Sequence, residues 1–422
     1  MTLLSFAKRP IPLPENYDQT GYIARNGSAV GVLDQPQMSM LLLQEGVGEK
    51  ALLVFCDLLG LAPAHTRALE ARLGRAAGVS PERVVITCTH THCAPAAMSL
   101  LLLGECRESF VHELEEELVS CALEAKGARA EEARLFFAKT DVFGVARNRV
   151  RLNETDVDPD LTLLVLETKS RRVALVNYAC HPVTKNADCR LYSRDYPGVV
   201  VDALTEDGLF DEAIFATAPC GDLNPVLQDE PDHHERLHEY GKKIADGVRE
   251  IVKNGSLIET EGFSIQKVRV HLPLEADHPR ANLALSAERA AAARVDSKEL
   301  QKQKYEEANY LWAQSQMRLE SLGLSETAFD ATVTLLSFGA LRVIGVPFEL
   351  FSDVGMNLKD AFAPAAVWEL CGGNYGYFPS DELWDKAAYE RGDAYMYYNR
   401  GGPLAKGSEA RLTDAIREAL GK

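Results

Sequence analysis

The chain is short of several things, and each shortage narrows what it can be. None of its nine cysteines forms a CxxC pair. Most of them sit in apolar or strand-like contexts. A disulfide framework is therefore not expected, and a reducing compartment is the natural setting. Basic residues are outnumbered, 45 Lys and Arg against 62 Asp and Glu, for a formal net charge of −17. That balance argues against nucleic acid or an anionic membrane surface as a partner. No apolar run reaches membrane-spanning length. Residues Met1 to Pro10 have no charged region followed by an apolar one, so no signal peptide is expected. Low-complexity stretches, clear internal repeats and Pro/Gly-rich linkers are also missing. The expectation is a cytoplasmic protein that acts on a small-molecule substrate, with residues 1–422 forming one domain. Apolar residues make up 46% of the chain, enough for a large core.

What is present points first to Cys88-Thr89-His90-Thr91-His92-Cys93-Ala94-Pro95. It follows Arg83 to Thr87, a run of β-formers. On a strand, His90 and His92 at i and i+2 would point to one face. A strand that ends on two imidazoles and stops at a proline suits the rim of a metal site. The plainer reading is a pair of polar strand-end histidines. Arg172 to Pro182 is a second strand ending in a histidine, His181. Val346-Pro347-Phe348-Glu349 and Asn374-Tyr375-Gly376-Tyr377 likewise end strands or begin loops. In open α/β sheets, ligands bind beyond strand ends. The donors His, His, Glu and Tyr suit zinc, with room for a water.

The hydrophobic pattern predicts an α/β fold of mixed β-sheets flanked by helices. Helices are expected at about 63–78, 107–126, 199–207, 235–253, 351–362 and 407–420. Strands are expected at 51–57, 83–88, 133–142, 161–168, 172–182, 214–218, 335–346 and 366–370. Leu161 to Leu166 has the continuous apolar character of a strand covered on both faces. Residues 283–322 lack Gly and Pro and are rich in Ala, Glu, Lys, Gln and Arg. They are expected to form an inserted helical pair outside the sheets, with no catalytic role.

Taken in order, these motifs resemble the neutral/alkaline, non-lysosomal ceramidases, zinc amidohydrolases that cleave an N-acyl bond. The resemblance runs through Cys88 to Pro95, Asn148-Arg149, Asp158 to Leu166, His181 and Ser193 to Gly198. It continues through Gly221-Asp222-Leu223-Asn224-Pro225, Pro347 to Glu349 and Tyr375 to Glu390. It implies zinc ligands at His90, His181, Glu349 and Tyr377. It makes His92 a histidine beside the reacting carbonyl, and Arg149 a substrate contact. Two departures stand out. The family's nucleophilic serine in Gly-Asp-x-Ser-Pro is Asn224 here, and an amide cannot take that role. The family's C-terminal immunoglobulin-like domain is not expected after Glu390. The resemblance thus implies a zinc hydrolase scaffold in which zinc-activated water attacks an amide or ester of a small polar substrate, not ceramide cleavage. A non-catalytic ligand-binding pseudoenzyme is the alternative.

His234-Glu235-Arg236-Leu237-His238 matches the H-E-x-x-H pattern of zinc peptidases on an expected helix. Arg236 between the histidines and the acidic stretch before them favour a solvated helix face. Asp57 and Asp195 are either turn caps or carboxylates that orient a ligand histidine. The resemblance favours a functional, substrate-side role for Asp195. Asp222 and Asn224 are candidates for catalysis, as oxyanion donor or water holder, against ordinary turn chemistry. Cys93 and Cys220 flank the site and read as small buried hydrophobes. Tyr375 reads as a packing aromatic. His65, His112, His271 and His278 are expected to have no role.

Overall fold

The structure is a computed structural model that describes residues 2–46, 48–226, 234–275, 283–296 and 299–421. His278 and His233 lie outside the described residues, as do the side chains of His234 and Glu235. The α/β expectation holds, with mixed sheets flanked by helices.

The largest sheet runs in the order Glu212–Thr217, Arg172–Tyr178, Asp160–Glu167, Glu131–Asp141, Thr2–Pro10, Gln37–Glu45, Lys50–Cys56 and Val84–Cys88. Ile258–Thr260 pairs alongside Glu131–Asp141. A second sheet runs Phe263–Pro273, Ala328–Phe338, Leu341–Gly345 and Ala365–Trp368. The two sheets pack face to face. Leu41, Leu53, Phe55 and Val85 meet Leu336, Val343 and Trp368 in one cluster, and the rings of Phe55 and Trp368 lie 5.5 Å apart, edge to face. Helices close both outer faces. Pro63–Ala77 and Glu108–Gly127 cover one half of the large sheet, and Tyr196–Glu206 and His234–Lys253 the other. Ser352–Ala361 and Ser408–Ala419 cover the small sheet. Because both faces of the central strands are buried, Leu161 to Leu166 are apolar at nearly every position and almost wholly inaccessible.

The N-terminus is a correction to the strand reading. Thr2–Pro10 is an interior strand, paired on one side with Gln37–Glu45 and on the other with Glu131–Asp141. Its charged Lys8 and Arg9 hide its strand character in the sequence, but they sit near its end, where Arg9 bonds Glu117 on the covering helix.

Most neighbouring strands are antiparallel, and within the two large sheets three pairs are parallel. A parallel pair needs a crossover. Pro63–Ala77 joins Lys50–Cys56 to Val84–Cys88, Tyr196–Glu206 joins Arg172–Tyr178 to Glu212–Thr217, and Ser352–Ala361 joins Leu341–Gly345 to Ala365–Trp368. The carboxyl ends of these units are stitched together. Thr217 Oγ1 donates to Thr89 O at 2.7 Å, and Thr87 Oγ1 to Glu369 O at 2.8 Å. The ends of six strands from two sheets therefore open on one place, where an α/β fold binds its ligands. The helices Leu283–Asp296 and Leu300–Ser321 pack on each other beside this end. Trp312 and Ala313 join Leu59, Leu103 and Tyr397 in a satellite cluster. No helix among the described residues is long and apolar enough to cross a membrane.

Candidate metal centre

Each of the three crossover units contributes two strand ends: one carries a donor, and the other fixes it. Val84–Cys88 leads to His90. The strand Lys50–Cys56 leads to Leu59, whose carbonyl oxygen lies 2.7 Å from His90 Nδ1. Arg172–Tyr178 leads to His181. Glu212–Thr217 leads to Cys220, whose carbonyl lies 2.6 Å from His181 Nδ1. Leu341–Gly345 leads to Glu349. Ala365–Trp368 leads to Asn374, whose Nδ2 donates to Glu349 Oε1 at 3.0 Å.

A carbonyl oxygen only accepts, so Nδ1 carries the proton in both histidines. In the neutral rings both Nε2 atoms are lone-pair acceptors, and neither has a hydrogen-bond partner. They lie 3.3 Å and 3.5 Å from the same atom, Glu349 Oε2. All three residues are 1% exposed. Burial pushes the Glu349 carboxyl up, but the facing His90 and His181 outweigh it and hold the group well below the usual carboxylate range. Burial pulls His181 down to about 4, opposed by Glu349. At neutral pH Glu349 is a carboxylate and His181 a neutral imidazole, and His90 Nε2 faces the same carboxylate oxygen. Two imidazole nitrogens and a carboxylate oxygen are donors that zinc takes, so the residues fit the metal that the sequence implied.

The histidine pair reaches this geometry by a route that the sequence reading did not foresee. His90 and His92 do not share a strand face. The strand ends at Cys88, and His90 adopts a left-handed backbone with φ 68°. Its N–H bonds Leu58 O at 2.9 Å. The turn, rather than the pleat, brings the two rings to 5.0 Å, nearly perpendicular. Ring nitrogens of His90, His92 and His181 all fall within 4.8 Å of one another. His92 differs from the other two in that neither of its nitrogens has a partner. Burial, ahead of its neighbours His90, His181 and Arg25, lowers its imidazole well below the ordinary value. It fits in only because residue 21 is glycine: a Cβ there would lie 2.3 Å from His92 Nδ1, at φ 107°.

Tyr377 pairs with Glu349 in a short parallel ladder, which sets the two side by side. Its ring stacks on His181 at 6.4 Å. Burial, then the Glu349 charge, raises its phenol well above the ordinary value, so it is protonated at neutral pH. Gly221 lets the His181-orienting loop close on this ladder: its N–H bonds Leu350 O, and a Cβ would lie 2.5 Å from Glu349 O.

Arg149 and Asn224 are together. Arg149 Nη1 donates to Asn224 Oδ1 at 3.1 Å, Nη2 to Gly221 O at 2.7 Å and Nε to Glu390 Oε1 at 2.9 Å. The guanidinium lies over the Tyr377 ring at 5.3 Å. Arg149 is thus bonded to protein on all sides and braces Asn224 and Tyr377.

The aspartates are placed differently from expectation. Asp222 accepts from Asn148 Nδ2 at 2.6 Å, Ser352 N at 2.7 Å and Ser352 Oγ at 3.0 Å. It ties its loop to the helix that follows Glu349. Asp195 is wholly buried and caps the helix Tyr196–Glu206, accepting from Tyr196 N at 2.7 Å and Thr184 Oγ1 at 2.7 Å. Asp57 accepts from Gln37 N at 2.9 Å. Neither Asp57 nor Asp195 bonds His90 or His181, whose Nδ1 atoms face backbone carbonyls instead. His238 is exposed on its helix. All nine cysteines are unpaired.

Four contributors escaped the sequence reading. Tyr398 donates its hydroxyl to Glu349 Oε1. Asn374 shares that oxygen. Glu390 is the counter-ion of Arg149. Glu369 accepts from Cys220 N at 2.9 Å, and burial raises its carboxyl well above the usual range. It steadies the loop whose carbonyl orients His181. None belongs to a spacing pattern that reports its partner. Asn374 lay inside a strand-end motif already singled out, and Glu390 closed the last stretch of the resemblance.

No protein-family profile and no curated protein matches the sequence. Solved structures do match. A neutral ceramidase from Pseudomonas aeruginosa superposes with a TM-score of 0.75 at 16% identity, over 99% of this chain and 75% of that one. A ceramidase complexed with C2 superposes with a TM-score of 0.74 at 15% identity, over the same shares. The fold is therefore that of the neutral ceramidases.

Proposed function

We propose that the chain is a zinc-dependent hydrolase that cleaves an amide or ester bond of a small polar substrate with water as the attacking group. The observation that carries this reading is the meeting of His90 Nε2, His181 Nε2 and Glu349 Oε2, buried and each fixed from behind. The shared fold supports it, since the solved neighbours are named as ceramidases. His90, His181 and Glu349 would hold the ion, with Tyr377 beside them. Bound there, zinc would supply a Lewis acid for the carbonyl and acidify a water.

The chain's own residues do the rest. His92, neutral and unpartnered next to the cluster, is placed to take or return a proton. Asn224 cannot form an acyl-enzyme. Its Oδ1 is held by Arg149, which turns its amide nitrogen away from that guanidinium as a donor to a developing oxyanion. Asp222 and Asp195 act by holding loops, not by touching substrate. We read the chain as one ceramidase-like catalytic unit with the helices at 283–321 inserted, working in the cytoplasm without stable membrane association. The pseudoenzyme reading draws on the lost serine alone.

The test is metal analysis of the purified protein, followed by a panel of N-acyl and ester substrates assayed with zinc and with a chelator. One zinc per chain and chelator-sensitive hydrolysis are expected. Hydrolysis that ignores the chelator, or a protein that binds no divalent metal, would overturn the reading.

A further inference from the structure

Several buried cations among the described residues come with carboxylates. Arg194 faces Asp34 at 2.8 Å, Lys359 faces Asp158 at 2.6 Å and Arg400 faces Glu326 at 2.9 Å. Arg25 is 5% exposed, and among the described residues no carboxylate pairs with it. Its Nη1 donates to Thr20 O at 3.2 Å. Its Nη2 has only the thiol of Cys93 at 3.9 Å, and its Nε has no partner. Its other neighbour is the Tyr22 ring, 5.0 Å from the guanidinium carbon. A buried, uncompensated guanidinium is costly.

The surroundings share the deficit. Thr20 Oγ1, Gln19 Oε1 and both nitrogens of His92 are also buried without partners. These residues lie on two touching segments. Gln19 bridges to Pro95 and donates to Cys93 O at 3.2 Å, and the Tyr22 ring lies 4.9 Å from that of His92. The segment is fastened from outside as well: Lys304, on the long helix Leu300–Ser321, donates to Arg25 O at 2.7 Å. Arg149, the cation that sequence singled out, is fully occupied by Glu390, Asn224 and Gly221.

From this we infer that Arg25, with Thr20, forms an anion subsite next to His92, and that the substrate is an amide or ester that carries a carboxylate close to the bond that breaks. The free edge of Arg25 is Nε together with Nη2. Two parallel N–H groups on one edge match the two oxygens of a carboxylate. The inference rests on the hydrolase reading for its chemistry, but the subsite rests on Arg25 itself. A rival counter-ion is Cys189, whose thiol is lowered to about 6, chiefly by a hydrogen bond from Cys93 and in part by Arg25.

The experiment uses the zinc-loaded full chain and matched substrates: N-hexanoylglycine against its carboxamide, and an N-succinyl amine against its methyl ester. These place the carboxylate on the amine side and on the acyl side in turn. We expect kcat/KM to favour the carboxylate in at least one pair by about tenfold or more, the range of a charge-assisted hydrogen bond. Arg25→Met should bring that ratio to about one, Arg25→Lys should keep part of it, and Cys189→Ser should leave it alone. Equal kcat/KM for both members of both pairs in the parent protein would overturn the subsite and leave the hydrolase standing. A preference that emerges only in Cys189→Ser would also overturn it, by assigning Arg25 to the thiolate. If nothing is hydrolysed, the hydrolase reading fails, and calorimetric binding of N-hexanoylglycine against its carboxamide still decides the subsite. Thermal melts of the Arg25 variants separate lost folding from lost recognition.

Discussion

The hydroxyl of Tyr398 donates to Glu349 Oε1, the oxygen that faces away from His90 and His181. Asn374 Nδ2 reaches the same oxygen at 3.0 Å. The carboxylate is thus pinned through one oxygen, and the other is left to face the histidines. Groups that orient a metal ligand from behind are typically worth 10–100-fold in metal affinity. Tyr398→Phe should weaken zinc binding by about that factor and leave the fold intact, because Asn374 still holds the carboxylate. Competition with a chromogenic chelator measures it. An unchanged affinity would show that Tyr398 only fills space.

His90→Ala and His181→Ala should each abolish stoichiometric zinc, and Glu349→Gln should weaken it severely, because each removes one of the three converging acceptors. His238→Ala is the control. His238 is exposed on its helix, and zinc content and activity should not change. Plasma emission spectrometry of the purified variants reads the result. Full zinc in both histidine variants would sink the ligand assignment. Loss of zinc in His238→Ala would revive the H-E-x-x-H site.

Much of this was legible in the sequence, and the boundary is physical. The four motifs that end strands were visible because a strand is apolar and its end is not. His90, His181, Glu349 and Tyr377 all stood in such places. The orienting partners were invisible because two of them are backbone carbonyls, Leu59 O and Cys220 O. A main-chain acceptor leaves no trace in residue identity. The aspartates misled for the converse reason. Asp195 and Asp222 are buried acids and Asp57 a partly buried one, in loops near the site, as a ligand-orienting carboxylate would be, yet their oxygens are spent on backbone and side-chain donors of turns and caps. The turn at His90 was also hidden, since a left-handed histidine looks like any other. Arg25 escaped because a missing partner is a fact of space and not of pattern.

Asp57 gives a pH test with a definite sign. It is partly buried, and burial raises its carboxyl to about 6, against the charge of Arg194. The unfolded chain releases that proton near pH 4. Between about pH 4 and pH 6 the folded state holds more protons, so Asp57 costs stability as pH rises through that window. Asp57→Asn removes the charge and keeps an oxygen for Gln37 N. Its stability relative to the parent should rise from pH 4 to pH 7.5 by about 1–2 kcal/mol, the full shift being discounted for partial exposure. Urea unfolding at the two pH values measures it. The metal should be unaffected. A constant difference across the window would refute the titration, and loss of zinc would make Asp57 a metal-orienting carboxylate after all.

On the hydrolase reading, Asn224 bears on how the bond is broken. A serine at this place would form and release an acyl-enzyme, and an amide can do neither. What Asn224 can do is donate. Arg149 Nη1 holds its Oδ1 at 3.1 Å, which fixes the orientation of the amide and directs Nδ2 to the other side. Arg149 is itself clamped by Glu390 and Gly221 O, so the donor is set before substrate arrives. Preorganised donors of this kind are worth about 3–4 kcal/mol in the transition state. Asn224→Ala should therefore lower kcat by about two to three orders of magnitude while zinc content stays near that of the parent. Arg149→Met should reproduce much of the loss, because an unanchored Asn224 has no preferred orientation. Asn224→Ser sharpens the comparison. If water is the attacking group, the serine variant gains no burst of product and no covalent adduct, and its rate stays below that of the parent. Mass spectrometry during turnover looks for the adduct. An acyl group trapped on the parent protein would overturn the water mechanism. Full activity in Asn224→Ala would remove Asn224 from the reaction and leave the metal ligands untouched.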